Sequence, residues 1–263
     1  MSAHTYSSDF YDYIDSGSSI SAQVVSRIML DAVRIDSLLD VGGGHGAWAR
    51  EWMGAGVRDV LCLDGDYVRQ EQLVVPADTF QSRDLSKPFD LCRRYDLVQS
   101  LEVAEHIAKE DADTFVDNLT LHGDVVLFSA AVPNQGGEHH VNEQPPEYWR
   151  RKFAARGYDA YDALRPALEP HVEVKPWYRF NSFIYANPQG SARLSAVVKE
   201  KRVPDDVELT IGGDLAWALR RAAVSWIPTG LVKPIAMLKA SAEARLKNPL
   251  AQGRTQAGGD IFS

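Results

Sequence analysis

The segment SLLDVGGGHGAW (37–48) decides the fold class of this chain. A short, mostly apolar run, SLLDV (37–41), leads straight into a glycine-rich turn, and a segment with helical character follows the turn. Gly42, Gly44 and Ala47 satisfy the G-x-G-x-x-G/A pattern, in which a tight turn opens a helix whose N-terminus favours negative charge. The segment therefore predicts the first strand, turn and helix of a cofactor-binding α/β sheet.

Runs of similar character recur along the chain and alternate with segments that have helical spacing. The predicted strands are SLLDV (37–41), DVLCLD (59–64), TFQSRD (79–84), YDLVQSL (95–101), DVVLFSAAV (124–132) and WYRFNSFIYA (177–186). The predicted helices cover residues 20–34, 47–56, 109–121 and 146–157. This alternation indicates a doubly wound α/β fold with a mostly parallel sheet covered on both faces. Such sheets bind ligands beyond the carboxyl ends of their strands, so we expect the functional residues there.

Composition and charge narrow the class of protein. Hydrophobic residues at 45% and charged residues at 24% are usual for a globular protein in water. The net charge of −8 argues against generic affinity for DNA or RNA. No apolar run approaches the roughly 20 residues that span a bilayer, and the polar N-terminus is not a secretory signal. We expect a cytoplasmic protein without a membrane span, in which Cys62 and Cys92 are reduced core residues.

The chain changes character towards its end. Residues 191–263 hold eleven Lys and Arg against seven Asp and Glu, whereas the rest of the chain is acidic. We predict a main domain over residues 1–190 and a helical C-terminal extension over residues 191–263, with helices at 214–226 and 231–246 and a flexible end. The residues expected to pack on the core or on a second subunit are Leu215, Trp217, Leu219 and Trp226. A homo-oligomer formed through these helices is therefore an open expectation.

Three acidic residues stand at the ends of the first three predicted strands. Asp40 precedes Gly42 by two positions, where a carboxylate suits a cationic ligand and repels a pyrophosphate. Asp64 ends the second strand and is placed to accept hydrogen bonds from both hydroxyls of a ribose. Asp84 ends the third, where it can accept a hydrogen bond from the amine of an adenine. The glycines alone leave a nicotinamide-dependent oxidoreductase open, but no Tyr-x-x-x-Lys pair follows them.

A second group of polar residues follows the fourth and fifth strands. If a helix begins where the fourth strand ends, Glu102, Glu105 and His106 have i, i+3, i+4 spacing and share a face. The fifth strand leads into a loop that brings His139 and His140 to the neighbouring edge. Two carboxylates with one or two imidazoles suit Mg²⁺ or Mn²⁺ and leave positions open for a substrate. The alternative is a helix start that packs against the sheet without binding metal.

The order of these motifs resembles the class I S-adenosylmethionine (SAM)-dependent methyltransferases. The resemblance covers about residues 20–186 and rests on the DVGGGHG loop, the acids after strands two and three, and the motif after strand four. It implies a Rossmann-like methyltransferase fold with a seven-stranded sheet, and SAM as the cofactor. The implied and candidate SAM contacts are Asp40, Gly42, Gly44, Asp64, Asp84 and Ser100.

Within that family, the ExxEH element with a downstream histidine resembles two metal-dependent groups. These are the small-RNA 3′-terminal 2′-O-methyltransferases and the ubiquinone-pathway O-methyltransferases. The resemblance implies a divalent cation, Mg²⁺ or Mn²⁺, whose ligands are Glu102, Glu105, His106 and His140. His139 and His140 are the candidate catalytic residues, with His139 as the base. The stretch PNQGGEHHVNEQPPEYW (133–149) is similar to a bacterial methyltransferase branch, which implies a carbohydrate or other polyhydroxylated acceptor.

The candidate acceptor contacts are Glu143, Tyr178 and Asn181, because aromatic faces stack on sugars and amides orient hydroxyls. Ordinary strand packing remains the alternative for Tyr178 and Asn181. We therefore expect a SAM-dependent O-methyltransferase that acts on a small molecule or an oligosaccharide. An RNA 2′-O-methyltransferase, which the basic extension favours and the acidic core disfavours, is the first alternative. A non-catalytic SAM-binding protein is another.

Overall fold

The computed structural model describes residues 8–226, with side chains described from Ser18 onward. In chain order its main elements are α1 (Ser8–Ala32), β1 (Ser37–Val41), α2 (Ala47–Gly54), β2 (Asp59–Asp64), β3 (Phe80–Ser82), β4 (Leu97–Leu101), α3 (Ala112–His122), β5 (Val125–Ser129), α4 (Pro146–Ala154), β6 (Asp159–Tyr161), α5 (Leu164–Leu168), α6 (Pro176–Asn181), β7 (Phe183–Ala186), α7 (Pro188–Arg193), α8 (Ala196–Lys199) and α9 (Leu215–Ser225). The helix predicted at 231–246 and the flexible end lie outside the described residues.

The seven strands form one sheet in the order β3-β2-β1-β4-β5-β7-β6. The first five in that order run parallel, and β7 pairs antiparallel with both β5 and β6. The direction of travel across the sheet reverses between β1 and β4, which opens a crevice at the carboxyl ends of these two strands. The doubly wound fold with a mostly parallel, seven-stranded sheet is confirmed.

Helices cover the sheet on both faces. Successive strand residues point in opposite directions, and apolar side chains on each face pack against helices. Leu38 of β1 packs in the layer that contains Met29 of α1 and Trp52 of α2. The next residue, Leu39, packs in the opposite layer with Phe115 of α3 and Phe153 of α4. With both faces buried, the strands read as nearly continuous apolar runs, as parallel sheets require. The two layers hold the strand ends that form the crevice.

Residues 177–186, predicted as one strand, fold as two elements. The first part belongs to α6, whose first helical residue is Pro176, and only Phe183–Ala186 form β7. A proline at this position lacks only an N–H that would be unpaired anyway, so it favours a helix start. Phe183 pairs with Phe128 near the carboxyl end of β5. The beginning of the antiparallel β7 therefore lies at the crevice edge, and Asn181 precedes it there.

Residues after β7 pack back onto the domain. The amide of Val203 donates to the carbonyl of Ala160 at 2.8 Å, and the amide of Leu209 donates to Glu147 Oε2 at 3.0 Å. The Asp214 carboxylate then caps α9 by accepting from the amide of Trp217 at 2.8 Å. The boundary predicted at residue 190 stays a prediction.

Only one of the four large apolar residues expected to pack does so within the described chain. Trp217 is 3% exposed and its ring lies 6.1 Å from that of Phe180. Leu215, Leu219 and Trp226 are 75%, 61% and 87% exposed. They do not pack on the core, and their burial by a second subunit stays an expectation.

Two further sequence expectations concern cysteine and membranes. Cys62 is buried as expected, but Cys92 is exposed, which corrects its assignment to the core. Cys92 has a left-handed φ of 53° and its amide donates to Asp90 Oδ1 at 2.7 Å, so it lies in a surface turn. Within residues 8–226, no helix combines the length and the apolar composition needed to cross a membrane.

Candidate active site

The turn after β1 is shaped by its glycines. The amide of Gly43 donates to the carbonyl of Leu63 at 3.2 Å, which ties the turn to β2. A Cβ atom on Gly43 would lie 2.4 Å from Cys62 Sγ and 2.6 Å from Asp40 Oδ2, so only hydrogen fits there. Gly44, at a φ of +57°, has open space on the side where a Cβ would project. The turn is closed towards the sheet and open on its outer side, where a ligand can approach.

Asp64 lies beneath this turn at the end of β2 and is 5% exposed. Its Oδ2 accepts from the amide of Gly44 at 2.7 Å, and its Oδ1 accepts from the amide of Gly65 at 2.6 Å and from the hydroxyl of Tyr67. Burial raises the pKa of Asp64, and these hydrogen bonds to the charged form oppose the rise. A ribose hydroxyl bound here would share the carboxylate with Tyr67 or displace it. Tyr67 is 46% exposed, so its ring has solvent to move into.

Asp40 is part of a buried polar chain behind the turn. Its Oδ1 accepts from Gln99 Nε2 at 2.9 Å, and Trp52 Nε1 donates to Gln99 Oε1 at 2.8 Å. Its Oδ2 is buried and has no hydrogen-bond partner among the described residues. Burial raises the pKa of Asp40 to about 7, a rise that the Gln99 hydrogen bond opposes and the charge of Asp64 supports. A cationic ligand nearby would favour the ionised form.

The two other predicted cofactor contacts lie in unlike surroundings. Asp84 is exposed after β3, and its Oδ1 accepts from the amide and hydroxyl of Ser86 at 3.0 and 2.7 Å. Ser100 is fully buried in β4, where its hydroxyl donates to the carbonyl of Val41 at 2.9 Å. Asp84 therefore lies at an open edge, whereas the Ser100 hydroxyl bridges two strands. A cofactor role stays a prediction for both.

No helix begins directly after β4, so the expected shared helical face of Glu102, Glu105 and His106 is wrong. Glu102 has a left-handed φ of 57°, and its amide donates to both the carbonyl and the hydroxyl of Ser129 at 3.1 Å. This anchors the end of β4 to β5. The chain then makes a single 3₁₀ turn, Ala104–His106. Glu105 and His106 reach the crevice edge from this turn.

Glu105, His106 and His140 bring one carboxylate oxygen and two ring nitrogens within 4.8 Å of one another. The loop that carries His140 docks on the 3₁₀ turn, since the amides of Val141 and Asn142 donate to the carbonyl of Glu105 at 2.9 and 3.0 Å. Glu105 is 1% exposed, and its Oε2 has no hydrogen-bond partner in the part of the chain that the structure describes. An unpaired buried carboxylate oxygen beside two imidazoles fits the needs of a divalent cation.

Both imidazoles are oriented through Nδ1. His106 Nδ1 lies 3.3 Å from the carbonyl of His139, and His140 Nδ1 lies 2.8 Å from Glu143 Oε1. Because a carbonyl and an ionised carboxylate only accept, each Nδ1 carries the proton and each Nε2 carries the lone pair. His140 Nε2 lies 3.9 Å from Glu105 Oε1. Metal-binding histidines are held in the same way, with the second ring nitrogen donating to an acceptor.

Burial perturbs the charges of this group. Burial first, and then the negative charge of Glu102, raise the pKa of Glu105 well above its usual range. Burial of its ring lowers the pKa of His106 to about 4, although the residue as a whole is exposed. Near neutral pH the His106 ring is therefore neutral, which is the form in which an imidazole binds a metal. The raised pKa of Glu105 favours its protonated form, with which a cation would compete.

Glu102 lies outside the three-residue group and is held by two amides. Gln135 Nε2 donates to Glu102 Oε2 at 2.5 Å, and Asn181 Nδ2 donates to Gln135 Oε1 at 2.8 Å and to Glu102 Oε1 at 3.5 Å. Asn181 Oδ1 is buried and unpaired within the described chain. Burial raises the pKa of Glu102, and the hydrogen bond from Gln135 opposes the rise. Gln135 was not identified from the sequence. The one sign of it there is that a polar residue stands directly before two loop glycines.

Two predicted acceptor contacts have their polar atoms engaged inside the protein. The hydroxyl of Tyr178 shares a hydrogen bond of 3.4 Å with Ser18, and its ring meets that of Trp48 edge-on at 4.9 Å. The carboxylate of Glu143 accepts three hydrogen bonds from its own loop, from Asn134 N, Gly136 N and His140 Nδ1. Asn181 is the predicted acceptor contact that keeps an unpaired polar atom at the crevice edge.

No protein-family profile matches this chain, and no curated protein matches it. Solved structures do match. The sugar N-methyltransferase KedS8 from Streptoalloteichus aligns with a TM-score of 0.53 and 14% identity over 71% of this chain and 95% of its own. DesVI from Streptomyces venezuelae aligns with a TM-score of 0.51 and 14% identity over 70% of this chain and 99% of its own.

An O-methyltransferase family protein from Burkholderia thailandensis aligns with a TM-score of 0.51 and 14% identity over 68% of this chain. The chain spans 58% of the length of that protein. The chain has the Rossmann-like fold of these methyltransferases. This likeness establishes the fold, whereas the activity has to be argued from the site.

Proposed function

We propose that this chain is a SAM-dependent O-methyltransferase that methylates a hydroxyl of a carbohydrate or other polyhydroxylated molecule with the help of a divalent cation. The observation that carries the proposal is the contact between the two halves of the crevice. A Cβ atom on Gly42 would lie 2.4 Å from Cγ2 of Val103, which stands two residues before Glu105. The turn proposed to hold the cofactor therefore abuts the turn that carries the candidate cation ligands.

The charges behind the turn support SAM over a dinucleotide. Asp40 and Asp64 are both buried there, and two carboxylates would repel a pyrophosphate but attract a sulfonium and an ammonium. SAM supplies the methyl group when bound. Asp64 is the proposed acceptor for its ribose hydroxyls, Asp84 for its adenine amine, and the open side of Gly44 the proposed place for its carboxylate.

The donor set of the cation site supports Mn²⁺ at least as well as Mg²⁺. One carboxylate and two imidazoles, from Glu105, His106 and His140, suit a borderline cation, whereas Mg²⁺ prefers oxygen ligands. A bound divalent cation lowers the pKa of a coordinated hydroxyl. With Glu102 held by amides, the proposed set has three protein ligands, which leaves room for acceptor oxygens.

The remaining residues would position the acceptor. Displacement at a sulfonium needs the nucleophile in line with the methyl carbon at about 3 Å, so most of the rate acceleration can come from orientation. The unpaired Oδ1 of Asn181 is the proposed hydrogen-bond acceptor for a second hydroxyl of the substrate. His139, in the loop beside the cation ligands, is the proposed base that receives the hydroxyl proton.

Two measurements test the proposal. Isothermal titration should show SAM binding that survives EDTA, because the proposed cofactor contacts lie after β1 to β3. Mass spectrometry of reactions with glycans, phenols, amino sugars and RNA 3′ ends should show a mass gain of one methyl group on a hydroxyl. EDTA should abolish that product, and Mn²⁺ or Mg²⁺ should restore it.

The contrary outcomes separate the alternatives. Full turnover in excess EDTA would show that no cation is needed, and His139 or His140 would then act as a general base without a metal. A product only on amino sugars would make the chain an N-methyltransferase, as KedS8 is named, and a product only on RNA ends would favour the 2′-O alternative. SAM binding without any product would favour a non-catalytic binding protein.

A further inference from the structure

The loop between β5 and α4 is organised around one carboxylate, that of Glu143. Its Oε2 accepts from the amide of Asn134 at 2.9 Å, and its Oε1 accepts from the amide of Gly136 at 3.0 Å and from His140 Nδ1 at 2.8 Å. Three donors converge on this carboxylate, so its acceptor oxygens are turned inward to the loop and its charged form is favoured.

The loop needs these hydrogen bonds because two of its residues have an unfavourable backbone conformation. Asn134 and His139 have left-handed φ angles of 65° and 58° without being glycine. Such a conformation costs free energy in a residue with a side chain and persists where its surroundings impose it. The hydrogen bonds to Glu143 come from Asn134 itself, from Gly136 between the two positions and from His140 next to the second, and they hold the loop in this shape.

The imidazole of His140 is confined from a second side by Gly137. A Cβ atom on Gly137 would lie 2.2 Å from His140 Nε2 and 2.3 Å from its Cε1, so the ring packs directly on the backbone of the glycine. Glu143 holds Nδ1, and the absence of a side chain on Gly137 leaves room for the Nε2 half of the ring. Nε2 thereby reaches to within 3.9 Å of Glu105 Oε1.

We propose that Glu143 is a positioning residue that fixes the tautomer and direction of His140. The charged carboxylate keeps the proton on Nδ1 and the lone pair on Nε2, the atom that lies 3.9 Å from Glu105 Oε1. This inference rests on the proposed function, because it acts through the same site. It holds whether Nε2 binds a cation or receives a proton, since both roles need an unprotonated Nε2.

Other contacts anchor the frame of the loop independently of Glu143. Arg221 Nε donates to the carbonyl of Pro133 at 3.1 Å, and Arg220 Nη2 donates to the carbonyl of Gln135 at 3.4 Å, both from α9. On the other side, the amides of Val141 and Asn142 bind the 3₁₀ turn. Loss of the Glu143 charge should therefore misdirect His140 before the loop detaches.

Glu143→Gln tests this proposal with two readouts other than turnover. The amide has the same shape but one acceptor oxygen instead of two, so it cannot serve all three donors. Mn²⁺ affinity, measured by electron paramagnetic resonance, should fall about 10- to 100-fold, as for other residues that orient metal-binding histidines. The ¹⁵N spectrum of the His140 ring, assigned against His140→Gln, should show the proton on Nδ1 in the wild-type chain and a tautomer mixture in Glu143→Gln. Glu110→Gln, which removes an exposed carboxylate, is the matched control and should change neither readout.

The outcomes distinguish this inference from the function it rests on. Wild-type Mn²⁺ affinity and an unchanged His140 tautomer in Glu143→Gln would overturn the positioning role and leave the cation site standing. No Mn²⁺ binding by the wild-type chain would contradict the cation, while the tautomer measurement still decides the role of Glu143. If Glu143→Gln fails to bind SAM and is misfolded, Glu143→Asp keeps the charge on a shorter side chain. It should restore the fold and SAM binding but not the full affinity for Mn²⁺.

Discussion

The two halves of the crevice are formed by different kinds of groups. In the half proposed to bind SAM, the cofactor half after β1 and β2, the shape comes from glycines and backbone amides, and Asp64 accepts three hydrogen bonds from the chain. In the half proposed to bind a cation, the cation half after β4 and β5, the shape comes from side chains on strained backbone. There Glu105 and Asn181 each keep a buried oxygen without a partner among residues 18–226, and Glu102 has a left-handed backbone.

This difference shows which groups lower the stability of the folded protein. Unpaired buried polar atoms and left-handed non-glycine residues cost about 1–3 kcal/mol each, and a bound ligand that pairs with such an atom offsets the cost of that atom. Among the described residues of the cofactor half, the unpaired oxygen of Asp40 is enclosed behind the glycine turn, whereas in the cation half those of Glu105 and Asn181 lie at the crevice edge, where they can bind a ligand. Substitutions in the two halves should therefore affect different measurements.

The largest effect should come from Glu105→Gln in the cation half. The amide removes the one charged ligand, so turnover should fall about 100-fold or more. SAM affinity from calorimetry should not change, and the free energy of unfolding should not fall, because Glu105 is a buried carboxyl with a raised pKa. Loss of SAM binding in folded Glu105→Gln would show that the two halves are coupled rather than separate.

The next effect concerns the cofactor half and Asp64. Asp64→Ala should weaken SAM binding by about 1.5–3 kcal/mol, roughly 10- to 150-fold, because charge-assisted hydrogen bonds to ribose are lost. Its affinity for Mn²⁺ should equal that of the wild-type chain. An unchanged dissociation constant for SAM in the folded variant would remove Asp64 from the cofactor site.

The pH dependence of stability should identify Asp40 as the strained member of the cofactor half. Its pKa is raised from 3.8 to about 7 in the folded protein, so the folded state binds the proton more tightly than the unfolded chain does. This contribution to stability is therefore largest below pH 3.8 and is lost as pH rises towards 7. Asp40→Asn should raise the free energy of unfolding at pH 8 by about 1–3 kcal/mol and change it little at pH 4. Urea titrations of this variant and of the exposed control Asp66→Asn measure the difference, and parallel pH curves for wild type and Asp40→Asn would contradict it.

The smallest effect should come from Tyr67→Phe, which removes one of the three donors to Asp64. Because the Asp64 oxygen that Tyr67 occupied becomes available to the ribose, SAM affinity should rise about 2- to 5-fold. This corresponds to a gain in binding free energy of less than about 1 kcal/mol. Calorimetry measures this directly. A fall in affinity would mean that the Tyr67 hydroxyl contacts the cofactor itself, and that its hydrogen bond to Asp64 does not persist when SAM is bound.

The cofactor half could be predicted from the sequence because its chemistry is local. A strand that ends in Asp40, a glycine turn and a second strand that ends in Asp64 appear as short patterns, and parallel pairing brings their ends together. The sheet class followed from the same alternation of strands and helices. Glu105 and His106 were also found, although their assumed helix is a single 3₁₀ turn.

The cation half could not be predicted in full because it depends on tertiary contacts. The left-handed conformation of Glu102 is imposed by Ser129, which lies on another strand. Gln135 and Asn181 meet although they are distant in sequence, and the aromatic run that contains Asn181 has the composition of a strand although its first part is helical. The three residues of β6 are too few for periodicity to detect.

The reversed direction of β7 determines where the protein can be lengthened. Its four residues span about 13 Å between the crevice edge and the opposite edge of the sheet. Extra residues placed after β7, near Asn187, would emerge beside Asp124 at the far edge, where Asn187 Nδ2 donates to Asp124 Oδ1 at 2.7 Å. Extra residues placed before α6 would be separated by one short helix from Asn181, the proposed acceptor contact. A reporter domain belongs at the first position, and a graft intended to change which acceptor is admitted belongs at the second.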